Sequence, residues 1–144
     1  MHEYLVFSAG NWELVAALGI ILALIVADEL QRRLRALHEL EPAQAVRLIN
    51  RGVILVDCRT QADYARAHLA GARHIPLAEL PRRLDELKPK RTKKSRPILV
   101  IGGNSRHSAR ALTILRRAGL TDSYSLKGGI EAWRREQLPL EKAT

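Results

Sequence analysis

Cysteine is almost absent from this sequence. Its 144 residues hold one, Cys58, so no internal disulfide can form and the folded part suits a reducing compartment. Lys and Arg are missing from residues 1–30, which carry Glu3, Glu13, Asp28 and Glu29 instead. A secretory signal needs a positive start and a small-residue cleavage site, and neither is present. Aromatic residues are scarce, and no metal site or cofactor is expected. What remains is strongly basic: all 24 Lys and Arg residues fall in 31–144, and the net charge is +9. Such a surface attracts nucleic acid, anionic lipid or an acidic protein, and charge alone does not choose among them. The length suits one globular domain plus an extra element.

The extra element comes first. Residues 14–27, LVAALGIILALIVA, are apolar and uncharged. A helix that crosses a bilayer wants about 20 such residues, and residues 5–10, LVFSAG, extend the run upstream. Trp12 then falls near the outer boundary, where Trp is favoured. A buried helix of a globular domain and an interfacial helix are the alternatives, but the run is apolar on all faces. The expectation is an N-terminal segment with a single transmembrane helix over residues 1–29, touching the bilayer through residues 5–27. Arg32, Arg33 and Arg35 follow at once, so the positive-inside bias puts residues 31–144 in the cytoplasm and the N-terminus outside. Leu30, Leu34, Leu37 and Leu40 share one face of a helical stalk over 30–40, too short to establish a coiled-coil seam.

From residue 41 to 144 the pattern alternates helices and strands. Pro42 opens a helix that ends near Gly52. Residues 53–57 (VILVD), 97–101 (PILVI) and 122–126 (DSYSL) read as strands buried on both faces. Thr60 caps a helix, residues 72–77 form a short strand, and residues 79–87 add a helical turn or two. A helix runs over 107–118 to Gly119, and the pair Gly128 and Gly129 opens the last one. Strands joined by helical crossovers imply a parallel sheet covered on both faces. Ligand sites in such sheets lie beyond the C-terminal strand ends, here residues 57–59, 101–102 and 126–127.

At these residues the chain resembles a known family. VDCRTQADYARAHLAGARHIPL and LKGGIEAWRREQLPL are similar to the signatures of rhodanese-like domains. The resemblance implies an α/β fold with a five-stranded parallel sheet between helices. With one helix ahead of the domain, the layout resembles small membrane-anchored rhodanese-like proteins of Gram-negative bacteria, which implies the inner membrane. Asp57 and Arg59 match the pair that organises the active-site loop in active relatives. His68, Gly71 and Pro76 match scaffold positions, and Trp133 is expected to pack the last helix on the sheet.

Active rhodaneses resemble one another in a loop, Cys-x-x-x-x-Arg, whose cysteine carries sulfur as a persulfide. Set against it, residues 102–107 read Gly102, Gly103, Asn104, Ser105, Arg106 and His107. Glycine stands in the cysteine position and histidine in the arginine position, so no catalytic residue is expected in the loop. Ser105 and Ser108 lack an evident base, and an alkoxide carries sulfur poorly. The alternative is a thiosulfate-type sulfurtransferase that uses an atypical loop or Cys58, at a neighbouring strand end, as nucleophile; the plainer reading of Cys58 is a small buried hydrophobe. Gly103, Asn104, Ser105, Arg106, His107 and Ser108 could still cradle an oxyanion, or the turn could serve geometry only.

The segment 88–96 holds Lys88, Lys90, Arg91, Lys93, Lys94 and Arg96 and no acid. It reads as a solvated loop, or as a contact for anionic lipid or an acidic protein. No aromatic is interleaved, which argues against specific nucleic-acid binding. The sequence as a whole points to a non-catalytic module that works by protein interaction, with an unidentified membrane-protein partner, or by weak anion binding.

Overall fold

A computed structural model describes residues 11–36, 38–89 and 95–143 of the chain, in two compact units that divide after residue 37. The first unit is one helix, α1 (Trp12–Ala36). Its C-terminal half carries ion pairs at helical spacing, Asp28 with Arg32 at 2.8 Å and Glu29 with Arg33 at 2.9 Å. All the exposed large hydrophobic side chains of the described residues lie on this helix, from Trp12 to Leu34.

No helix among the described residues is long and apolar enough to cross a membrane, so the expected transmembrane helix is not found there. Length explains this. Residues 14–27 reach only about 21 Å at 1.5 Å per residue, against a hydrocarbon core of about 30 Å. Glu13 closes the stretch at one end, Asp28 and Glu29 at the other. Residues 5–10, which would extend it, lie outside the described residues.

The second unit is a parallel sheet with helical crossovers. Its elements are β1 (Glu39–Leu40), α2 (Pro42–Asn50), β2 (Ile54–Asp57), α3 (Gln61–Arg66) and β3 (Arg73–His74). After two 3₁₀ turns come β4 (Ile98–Ile101), α4 (Ser105–Arg117), β5 (Ser123–Leu126) and α5 (Gly129–Arg135). The strands lie in the order β1-β5-β4-β2-β3, every neighbouring pair parallel. The apolar runs of β2 and β4 are buried on both faces, as a parallel sheet requires. Alternate residues point to opposite sides. Leu55, Leu99, Ile101 and Leu126 pack with Ile130 and Trp133, while Val56, Ile98 and Val100 pack with Ala111, Leu112 and Leu115 of α4. Trp133 is buried, and its indole N–H donates to the Pro139 carbonyl at 3.0 Å.

Two boundaries differ from expectation. Leu40, assigned to the stalk stripe, ends the edge strand β1, where Glu39 pairs with Ser125 and Leu40 with Leu126. Its side chain packs on the core and does not continue the face of Leu30 and Leu34; Leu37 lies outside the described residues. The helix expected from residue 107 starts two residues earlier, because Asn104 caps it. The Asn104 side chain accepts the His107 N–H at 2.9 Å, which satisfies a donor that would otherwise be left free at the helix start.

Candidate functional site

Parallel pairing of β2 with β4 sets Asp57 beside Ile101, and the Cys58 N–H donates to the Ile101 carbonyl at 2.9 Å. The segments leaving the two strands therefore lie side by side at one sheet edge. Asp57 is fully buried and Arg59 is 7% exposed. Their side chains form a fork: Arg59 Nη2 donates to Asp57 Oδ2 at 2.7 Å and Nε to Oδ1 at 3.0 Å. Arg59 Nη2 also reaches the Ala67 carbonyl at 2.6 Å. The two residues expected to support the loop form a buried ion pair with each other.

The loop that follows β4 is short. Gly102 is buried, Gly103 and Asn104 are exposed, and Ser105 already belongs to α4. A Cβ built on Gly102 would run into the Ser108 hydroxyl and lie 2.9 Å from the Ser108 backbone nitrogen. That distance is closer than a carbon and a nitrogen can approach, so a side chain at this position does not fit the loop as it stands. The Ser108 N–H donates to the Asn104 carbonyl at 3.1 Å. With the His107 N–H held by Asn104, two of the donors an oxyanion would use are occupied.

Beyond the strand ends opens a cleft of about 320 Å³. Its floor is Gly102, Gly103, Asn104, Ser105 and Ser108, with Gly128 and Gly129 facing them. Both facing glycines have positive φ, +71° and +58°, which lets the backbone turn tightly into α5. Of the six residues expected to cradle an anion, Gly103, Asn104, Ser105 and Ser108 border the cleft, while Arg106 and His107 are not among its walls. The buried Nδ1 of His107 has no hydrogen-bond partner among the described residues. The charged walls are Glu39, Asp63 and Glu131 against Arg59 alone. These carboxylates escaped the sequence reading because they come from β1, α3 and α5, far apart in the chain.

Residues 41–136 match the rhodanese-like domain family. The chain belongs to that family. It is 37% identical over 109 residues to the thiosulfate sulfurtransferase GlpE of Actinobacillus pleuropneumoniae, across 73% of this chain and 94% of that protein. It is 40% identical over 79 residues to the YqhL protein of Bacillus subtilis, across 55% of this chain and 59% of that one. A crystal structure of the Alr3790 protein from Anabaena superposes with a TM-score of 0.63 at 26% identity, across 72% of this chain and 81% of the other.

The remaining thiol of this rhodanese-like domain is Cys58, 2% exposed and packed among Val56, Ile75, Val100 and Leu112. Burial, aided by the adjacent Asp57 charge, pushes it up from 9.0 to about 12. Burial and a raised pKa both lower the reactivity of a thiol at neutral pH. In the basic segment Lys88 pairs with Asp85 at 2.7 Å and Arg96 is exposed. Lys90, Arg91, Lys93 and Lys94 lie outside the described residues.

Proposed function

We propose that the chain is a membrane-anchored, non-catalytic rhodanese-like module that works through protein contact at a bacterial inner membrane. One observation carries the non-catalytic reading: the position from which a rhodanese cysteine would act is Gly102, and the space for its side chain is taken by Ser108. Cys58 offers no substitute, being buried with its thiol held at about 12. The test is to incubate the full chain with thiosulfate and measure its intact mass. No gain of a sulfur atom is expected; a persulfide on Cys58, absent in Cys58→Ser, would restore the sulfurtransferase reading that the likeness to GlpE suggests. Protein contact is preferred over anion binding because carboxylates outnumber the free basic groups around the cleft.

The anchor rests on α1, whose apolar side chains from Trp12 to Leu34 are exposed and gain free energy only when covered. Residues 5–10 together with 14–27 supply the needed length, and the basic residues after Ala27 set the N-terminus outside. Lys88, Lys90, Arg91, Lys93, Lys94 and Arg96 are then the proposed contacts for anionic lipid or an acidic protein. Retention of the chain in the membrane pellet after alkaline carbonate washing is expected, as is resistance of residues 38–144 to protease added outside spheroplasts. Release by carbonate would refute the anchor, and digestion from outside would refute the orientation.

A further inference from the structure

We infer that the cleft receives a basic side chain, a guanidinium or ammonium presented by a polypeptide. The inference rests on the reading of the domain as a binding module and names the chemistry of what it binds. Three carboxylates, Glu39, Asp63 and Glu131, border the cleft. Glu131 pairs with Arg134 at 3.0 Å, whereas neither Glu39 nor Asp63 forms an ion pair among the described residues; the Lys127 ammonium near Glu39 is held by Glu41 at 2.7 Å. Among the described residues the Asp63 carboxylate accepts from the Thr60 hydroxyl, at 2.8 Å. The sole basic wall, Arg59, is committed to Asp57 and the Ala67 carbonyl. An acidic cleft has therefore formed in a chain of net charge +9.

A second observation is independent of charge. Ser108 and Ser125, 5% and 2% exposed, both border the cleft, and neither hydroxyl has a hydrogen-bond partner among the described residues. Side chains this buried ordinarily find a partner, and these two turn their unpartnered hydroxyls to the cleft. Two of the N–H groups that could have met an anion, those of His107 and Ser108, are taken by Asn104. The side chains that border the cleft offer mainly acceptors, in carboxylates and hydroxyl oxygens. A guanidinium brings five donors and no acceptor and is the natural complement.

The full-length, isotope-labelled chain in a neutral detergent tests this by titration with N-acetyl-arginine amide and, separately, with thiosulfate. The amide resonances of Gly103, Ser105 and Gly129 are expected to move with the arginine derivative and to stay still with thiosulfate. Glu39→Gln leaves the backbone pairing of β1 intact and should weaken the response about threefold. Glu39→Gln with Asp63→Asn should weaken it on the order of tenfold. No movement with the arginine derivative, an unchanged affinity in the double variant, or movement with thiosulfate would each overturn the inference. A sulfur adduct on the same sample would instead bring down the non-catalytic reading, so the two failures are separable.

Discussion

The Ser108 hydroxyl fills the volume into which any side chain on Gly102 would have to grow. The loop as it stands has no room for a side chain at this position. A cysteine placed at this position should therefore not be accommodated. Gly102→Cys is expected to cost about 1–3 kcal/mol of stability through overpacking, and to show no sulfur transfer from thiosulfate to cyanide. Adding Ser108→Ala should recover part of the loss, and thermal unfolding of the three proteins gives the answer. A Gly102→Cys chain as stable as the parent would show that the loop opens freely.

Asp57 and Arg59 form a buried, forked ion pair, and such pairs are costly to break from one side. Arg59→Ala should lose about 3–5 kcal/mol in urea unfolding, because it leaves the Asp57 carboxylate buried and unmatched. Asp57→Leu with Arg59→Met removes both charges and should cost less than either single change. If the double variant proves the least stable, the pair contributes net attraction beyond satisfying itself.

Cys58 makes a pH prediction whose sign is fixed by the direction of its shift. The folded thiol titrates above the unfolded one, about 12 against 9.0. Its neutral, buried form therefore contributes stability fully below pH 9, and that contribution is lost as the pH climbs from 9 towards 12. Urea midpoints should fall more steeply over this range for the parent than for Cys58→Ala. Iodoacetamide at neutral pH should modify the chain only after denaturant is added; rapid labelling of the native chain would contradict the burial.

Asn104 caps α4 through its side chain, and Asn104→Ala should cost about 1 kcal/mol, with Asn104→Asp close to neutral. Equal losses in both variants would mean that the amide N–H of Asn104 matters and the cap does not. Chemical denaturation monitored by circular dichroism is sufficient.

Much of the fold could be read from sequence, for reasons these residues make plain. The runs in β2 and β4 are apolar without interruption because both sheet faces are covered, and Gly128 and Gly129 announce the turn they make. The cap at Asn104 was also available, since Asn followed by helix formers is a start signal; placing the helix start at His107 overlooked it. β1 was hidden by its length, as two residues carry no periodicity, and its leucine fell in step with the preceding stripe. The acidic walls of the cleft were out of reach altogether. Nothing in the neighbourhood of Glu39, Asp63 or Glu131 marks them, and only the strand order brings their three segments to one edge.

The outer strands of the sheet, β1 and β3, are two residues long. A rim that short presents hardly any unpaired backbone, and unpaired backbone is what lets one sheet recruit the edge of another. Copies held at high local density would pass one another without zipping together, and any lasting association would have to be written in side chains.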